Sequence, residues 1–423
     1  MSARLILGVQ WGDEGKGKII DALSQNSDMV IRFQGGNNAG HTVINPLGEF
    51  KLHLIPAGIF NPKVKAVISN GVVLDLEVLS EEIDSLVKGG VDPKGRLIIS
   101  PRCNIILPYH KLLEGLNERI KGNSKTGSTG RGIGPVYADK VSYNGIRLYD
   151  FLDKNKFKEK LEVQLKLKNA ILKSFDIKPL KFDDIEKSLS HLRKKLAPFI
   201  QEPFPIIQEA LSKNKKVLLE GAQAVFLDND WGTYPYVTAS TIVSGGITGG
   251  AGIAPQHLSE VIGVVKAYTT RVGAGPFPTE MNAKEDEKLR QLGHEFGATT
   301  GRSRRCGWLD LEMIKFAREL NGITSLALTK IDILDTYREI KICVGYTLNG
   351  KKVRYFDGDA YFLEKVKPVY KTMPGWLSAT KGITVYEKLP PKAKNYISEI
   401  EKIAGVKISY ISTGPSRKET IKR

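Results

Sequence analysis

The sequence predicts an α/β protein with a large, mostly parallel central sheet, a P-loop-like nucleotide site and helical insertions. Three observations carry this. Short apolar runs recur along the chain with helical periodicity between them, the alternation that layers helices on a parallel sheet. Several runs are continuously apolar rather than alternating, as strands buried on both faces require. Glycine-rich segments mostly follow those runs, where parallel sheets bind their ligands.

In chain order, Leu5-Ile6-Leu7 leads through Gly8-Val-Gln-Trp-Gly-Asp-Glu-Gly-Lys-Gly-Lys18 into Ile19-Ile20-Asp21-Ala22-Leu23. That order reads as strand, glycine loop, helix. Further strands are expected at 29–33, 65–69, 97–99, 216–220, 261–266, 325–330 and 406–410, and helices at 76–87, 109–120, 154–172, 182–200 and 309–320. From Lys154 to Lys195 lysines alternate with Leu, Ile and Phe, which reads as a solvated amphipathic face. The span from about 140 to 215 is strand-poor and is expected to leave the sheet as a helical excursion. No repeat or Pro/Ser linker interrupts the chain, so residues 1–423 are read as one large domain with insertions. Glycine-rich segments at 35–40, 127–134, 245–252, 273–275 and 297–301 suggest five loops around one composite site.

Composition narrows the class. Hydrophobic residues make up 41% and charged residues 26%, as in an ordinary globular protein with a large core. No apolar stretch reaches bilayer length, and Met1-Ser-Ala-Arg4 runs straight into a strand, so no signal peptide and a cytoplasmic location are expected. Three isolated cysteines suggest neither disulfides nor zinc. The 63 basic residues against 46 acidic ones point to nucleic acid, an anionic membrane or small polyanionic substrates.

The chemistry lies in the loops. Gly12-x4-Gly17-Lys18 satisfies the phosphate-loop spacing up to its last position, where Ile19 replaces the magnesium-binding Ser or Thr. The metal then needs another oxygen, and Asp13 is the nearest; so placed, it can also act as a base. Gln34-Gly-Gly-Asn-Asn-Ala-Gly-His-Thr42 follows the second strand and offers His41 as a general acid near a β–γ phosphate bridge, with Asp21 a candidate to orient it. Thr329-Lys330-Ile331-Asp332 closes an apolar strand; its aspartate can accept both N1–H and the 2-amino group of guanine, which selects GTP over ATP. Ser412-Thr413-Gly414-Pro415 adds contacts to the base. In Ala298-Thr299-Thr300-Gly301-Arg302-Ser303-Arg304-Arg305 the close guanidiniums need an anion between them. Gly127-Ser-Thr-Gly-Arg-Gly-Ile-Gly-Pro135 reads as a second phosphate cradle, Gln223 ends a buried strand, and Gly232–Thr238 places hydroxyls one loop further on.

Taken together, Gln-Trp-Gly-Asp-Glu-Gly-Lys-Gly-Lys, Gly-Asn-Asn-Ala-Gly-His-Thr, Thr-Gly-Arg-Gly-Ile-Gly-Pro, Glu-Gly-Ala-Gln, Gly-Thr-Tyr-Pro-Tyr-Val-Thr, Ala-Thr-Thr-Gly-Arg-x-Arg-Arg and Thr-Lys-x-Asp resemble the adenylosuccinate synthetase family, in order from residue 10 to 414. The resemblance implies a homodimeric ligase of purine synthesis that joins IMP to L-aspartate. It would split GTP, its co-substrate, to GDP and phosphate, with one Mg2+ per subunit and a 6-phosphoryl-IMP intermediate. It implies Asp13, His41, Lys16 and Gln223 as catalytic residues, with Asp13 taking the N1 proton of IMP and His41 donating toward the β–γ bridge. Asp13 and the Gly40 carbonyl would hold the metal. GTP would contact Gly12, Asp13, Glu14, Gly15, Lys16, Gly17, Lys18, Gly40, His41, Thr42, Arg304, Lys330, Ile331, Asp332, Ser412, Thr413 and Gly414. IMP would contact Asp13, Glu14, Gly15, Lys16, Asn38, Ala39, Gly40, His41, Thr129, Gln223, Thr238 and Arg302. Aspartate would lie against Ala298, Thr299, Thr300, Gly301, Arg302, Ser303 and Arg304. One departure stands out: Tyr143-Asn144 occupies the place where the family usually has an arginine that reaches the IMP phosphate of the other subunit.

Two rival readings are a GTPase switch, which shares the phosphate loop and guanine selector, and a nucleic-acid-binding protein, which would explain the charge. The first does not need the arginine loop. The second lacks aromatic-interleaved basic clusters, so neither nucleic acid nor membrane is expected as a partner.

Overall fold

A computed structural model describes residues 3–297 and 301–423. Its centre is a ten-stranded sheet. From edge to edge the strands run Thr420–Lys422, Ile408–Ser412, Ser325–Thr329, Leu258–Lys266, Ala3–Gly8, Val217–Ala224, Met29–Gly35, Lys65–Leu74 and Leu97–Ile99, with Asn104–Ile105 also paired to Lys65–Leu74. Every pairing is parallel except that of Thr420–Lys422. Leu5 lies between Leu219 and Val261.

The apolar runs become strands because both faces are covered. Leu5, Leu7, Ile31, Phe33 and Leu219 pack into one core, and Ile6, Val30, Leu218, Ile262 and Val264 into the other. Truncating one of these leucines to alanine costs about 2–5 kcal/mol, because the close-packed site cannot collapse around the void. The rigid sheet fixes where its carboxyl-end loops emerge.

Between Asn104–Ile105 and Val217–Ala224 the chain is helical, including Ile133–Val141, Leu148–Leu152, Lys154–Lys173, Phe182–Leu196 and Pro203–Ser212. The expected helix at 182–200 stops at Leu196, and Ala197–Phe199 continues only as a 3-10 turn, since Pro198 removes a backbone donor. The expected helix at 309–320 begins two residues late, because the Asp310 carboxylate caps the Glu312 and Met313 N–H groups. The last strand is displaced from 406–410 to Ile408–Ser412.

Sequence reading missed a second, four-stranded sheet of Leu309–Asp310, Glu339–Leu348, Lys351–Lys352 and Lys367–Pro374. It also misread Gly245–Gly252. Gly246–Ala251 is a short helix against the sheet, and a Cβ on Gly71 would stand 3.0 Å from the Gly250 Cα. Glycine there permits close helix–strand packing and lines no ligand loop. Among the described residues, no helix is long and apolar enough to cross a membrane.

Candidate active site

The loops at the carboxyl ends of the strands wall one cleft of about 1470 Å³. A pocket for a single small ligand reaches only about 1,000 Å³, so this cleft has room for several. Gly12, Asp13, Gly15, Lys16, Gly17, Lys18, Asn38, Ala39, Gly40, His41, Thr42, Thr129, Gln223, Thr238, Arg304, Lys330, Asp332, Ser412 and Gly414 line it together.

At its floor the helix Lys16–Ser24 starts from Gly15, whose φ is 86°, and no side chain caps it. Its first N–H groups and the positive end of its dipole are available to an anion. Gly17 is required by contact: a Cβ there would lie 2.7 Å from the His41 ring. Glu14, expected to touch ligand, turns inward instead. Its carboxylate accepts the N–H groups of Gln10 (3.1 Å) and Gly12 (2.9 Å) and pairs with Lys16 at 2.7 Å. It braces the loop from beneath.

His41 Nε2 stands 3.6 Å from the Glu220 carboxylate. Asp21 is not its partner: that carboxylate pairs with Arg417 at 3.2 Å. Burial, with the charges of Arg32, Lys16 and His53, depresses the His41 pKa to about 3, so the imidazole is neutral. Burial raises Glu220 to about 7, against the pull of Arg32 and the Ala57 N–H. Arg32 itself is 1% exposed and donates to the Gly36 carbonyl at 2.9 Å, which fixes the Gly35–Gly40 loop from below. His53 Nδ1 lies 2.9 Å from the Ala39 carbonyl and adds to that support.

Three expected IMP contacts are already joined. The Gln223 amide donates to Asn38 Oδ1 at 2.9 Å, and Asn38 donates to Thr238 Oγ1 at 3.1 Å. Gln223 Oε1 is buried with no hydrogen-bond partner. The 127–135 loop differs from the cradle expected of it. Glu118 takes the Gly127 and Ser128 N–H groups at 2.9 and 3.3 Å, and Glu114 takes that of Gly132 at 2.6 Å. Those amides serve carboxylates of the preceding helix, not an open anion site. Thr129 still faces the cleft, and Arg302 donates to the carbonyls of Gly127 and Ser128 at 3.2 and 3.3 Å.

Two of the arginines pair with carboxylates of the chain. Arg304 lies 2.7 Å from Asp13 and 2.6 Å from Glu295, and Arg305 pairs with Glu280 at 2.5 Å. Glu295 also takes Lys330 at 2.6 Å and Lys266 at 3.0 Å. Burial alone would raise its pKa, but the three cations hold it far below the usual carboxylate range. Next to Lys330, the Asp332 carboxyl is raised by burial, against the pull of its own backbone N–H, and lines the cleft. Lys18 does not reach freely toward the floor. Its ammonium donates to Ser412 Oγ and the Gly414 carbonyl, both at 2.6 Å, and to the Glu419 carbonyl at 2.8 Å. It ties the first helix to the 412–414 loop.

Not every expected contact residue lines the cleft. The Ile331 and Thr413 side chains are buried away from the cleft, each 0% exposed. Gly301, Arg302 and Ser303 are exposed on the rim, and Ala298, Thr299 and Thr300 lie outside the described residues. Tyr143 is 97% exposed in the turn after Ile133–Val141 and is not a wall of the cleft. Sequence reading missed Arg32 and Glu295. A carboxylate just ahead of three arginines was the available signal for Glu295.

A parallel sheet whose carboxyl-end loops gather a helix N-terminus, a base-selecting turn and an arginine loop defines a nucleotide-dependent enzyme with several anionic substrates. The adenylosuccinate synthetase family model matches residues 5–421. The chain is 49% identical over 422 residues to the adenylosuccinate synthetase of Dehalococcoides mccartyi, and 48% identical over 423 residues to that of Clostridium kluyveri. Each alignment covers 100% of this chain, and 100% and 99% of the respective relatives. The structure of fully ligated adenylosuccinate synthetase from Plasmodium falciparum superposes with a TM-score of 0.93 at 38% identity, covering 100% of both chains. This chain belongs to the adenylosuccinate synthetase family. It is a ligase of AMP biosynthesis that joins IMP to L-aspartate with GTP as co-substrate, giving adenylosuccinate, GDP and phosphate.

Proposed function

We propose that Asp13 is the base of this reaction and that the cleft divides into three subsites. The phosphates of GTP lie on the Gly12–Lys18 loop and its guanine at Lys330–Asp332 and Ser412–Gly414. IMP lies against Asn38–His41, Thr129, Gln223 and Thr238, and L-aspartate against residues 298–304. One observation carries this reading: Asp13, His41, Gln223, Arg304 and Asp332 face a single cleft although they come from five separate loops.

In the first step Asp13 takes the N1 proton of IMP. The O6 lone pair then forms a bond to the γ-phosphorus, and the bond to the β–γ bridging oxygen breaks with its electrons going to GDP. Lys16 stands beside the loop to stabilise the transferring group, and Gln223 holds the purine. His41 is neutral before nucleotide arrives. Phosphate charge next to it raises its proton affinity, so it donates to the leaving oxygen. In the second step the amine of aspartate forms a bond to C6 and phosphate leaves with O6. Arg304 exchanges Asp13 for the substrate's carboxylate before the first step, which frees Asp13 to act.

The residues fit a magnesium ion of the kind completed by its substrates. No cluster of three or more His, Cys, Asp or Glu capable of holding a metal exists among the described residues. Magnesium is commonly held by one or two carboxylates together with nucleotide phosphates and water. Asp13 and the Gly40 carbonyl both line the cleft and would hold it. Bound there, the ion would neutralise charge on the phosphate oxygens.

The chain is further proposed to act as one domain and as a cytoplasmic homodimer. Val163, Leu167, Ile171 and Phe175 follow one another every fourth residue and are all exposed, the last two at the edge of the cleft, and Gln164 donates to Asn144 at 3.2 Å beside exposed Tyr143. Such an apolar stripe suits a partner subunit. An absorbance assay of adenylosuccinate formation from IMP, GTP and aspartate tests the site. Asp13→Ala and His41→Asn are expected to abolish or cripple turnover, and full activity in Asp13→Ala would remove the base assignment.

A further inference from the structure

Four donors from three segments of the chain converge on one buried carboxylate. Glu295 is fully buried and accepts from Arg304 Nη1 at 2.6 Å, Lys330 Nζ at 2.6 Å, Lys266 Nζ at 3.0 Å and the Tyr268 hydroxyl. Lys266 is itself fully buried, whereas Arg304 and Lys330 line the cleft. Lys330 sits in a left-handed conformation with φ 58°, at the start of the turn Ile331–Leu334 that presents Asp332. Arg304 reaches past Glu295 to Asp13. A single anion therefore spaces the two cations that end the arginine loop on one side and begin the base-selecting turn on the other.

We infer that Glu295 is a positioning residue that locks the aspartate subsite and the guanine subsite into one geometry. The inference rests on the assignment of those subsites proposed above. With Glu295 neutral, Arg304 and Lys330 repel each other and buried Lys266 with no anion between them. The arginine loop and the guanine turn then lose their common anchor. Among the described residues, the Gln223–Asn38–Thr238 chain proposed to face IMP shares no hydrogen bond with this hub.

The test is the split of kinetic constants among the three substrates. Glu295→Gln keeps the shape and removes the charge. It is expected to raise KM for GTP and for L-aspartate about tenfold each while KM for IMP stays within about twofold, since only the first two bind groups that the hub holds. Glu295→Asp keeps the charge one methylene further back and is expected to recover part of the loss. If Glu295→Gln does not fold, Glu295→Asp must show the same selective rise on a smaller scale. The double variant Glu295→Gln/Lys266→Met restores charge balance in the core and is expected to keep the selective defect. An equal rise in all three KM values, or wild-type constants in the double variant, would overturn the inference, because Glu295 would then only neutralise Lys266. Arg304→Lys and Asp332→Asn are measured in parallel for KM of aspartate and of GTP. If those two leave their substrates unaffected, the subsite assignment fails and takes this inference with it. If they respond and Glu295→Gln does not, the inference alone fails.

Discussion

The Arg304 guanidinium places its Nε 2.7 Å from the Asp13 carboxylate. Among the described residues Arg304 Nε has no partner in aligned hydrogen-bond geometry, so the contact is an ion pair. Arg304 is held more firmly on its other side, by Glu295 at 2.6 Å. Asp13 is therefore the more readily exchanged of the two partners in the site proposed above. An incoming aspartate carboxylate can take the guanidinium, and the same movement frees Asp13 for the purine.

Asp13→Asn removes the proton acceptor but leaves the fold supported, because Glu295 still anchors Arg304. A positioned general base contributes about 10²–10⁴-fold, so kcat is expected to fall by that range. GTP affinity, measured by titration in the absence of magnesium, should change little, since the loop amides and Lys16 remain. A variant with normal kcat would mean that another group takes the N1 proton.

Glu220 predicts a pH effect on stability whose sign follows from its shift. Burial raises its pKa from 4.5 to about 7 in the fold, so between those values the native state binds a proton that the unfolded chain does not. That stabilisation is complete below 4.5 and is lost as pH rises through about 7. Glu220→Gln mimics the protonated form at every pH. The difference in Tm, variant minus wild type, is expected to grow from pH 5 to pH 8. A difference independent of pH would show that Glu220 does not titrate in this window.

Asp332 predicts the base preference. Its carboxylate can accept two donors from guanine, a pattern adenine lacks. Asp332→Asn offers an amide donor where the 2-amino group points. The kcat/KM for GTP is expected to fall about 10²-fold or more, as when a site loses a buried hydrogen-bonding match. XTP, whose 2-oxygen accepts that amide, should recover part of the loss. An unchanged ratio of GTP to ATP use would place the guanine elsewhere.

The phosphate loop, the Gly35–Gly40 loop and the Lys330 turn were legible in sequence because their chemistry is local: backbone conformation and side-chain spacing set both shape and function. The buried strands were legible because sheets covered on both faces leave unbroken apolar runs. Glu339–Leu348 and Lys367–Pro374 were not, since their half-exposed faces mix lysine with apolar residues. Glu295 and the Glu220–His41 contact depend on distant segments meeting, which no spacing encodes. Asp21 misled because spacing along the first helix does not reveal that Arg417, from the far end of the chain, pairs with its carboxylate. The 127–135 loop misled because glycine pattern alone cannot tell whether a ligand or a neighbouring glutamate takes the amides.

Tyr143 and Leu167 predict what the assembly contributes. Tyr143 is almost wholly exposed, in a turn beside the apolar stripe of Lys154–Lys173, and has no role in the cleft of its own subunit. If that stripe is the dimer face, Tyr143 lies where it can reach the partner's IMP site, offering a hydroxyl where the family usually has a positive charge. Tyr143→Arg is then expected to lower KM for IMP severalfold, because a charge-assisted contact to phosphate is about twice as strong as a neutral one. Leu167→Glu buries a charge in the same face. It should convert the dimer to monomer in light scattering and raise KM for IMP, while leaving the monomer folded. The two substitutions act on one interface from opposite directions. A dimeric Leu167→Glu protein, or a Tyr143→Arg protein with unchanged KM for IMP, would move the subunit contact away from this helix.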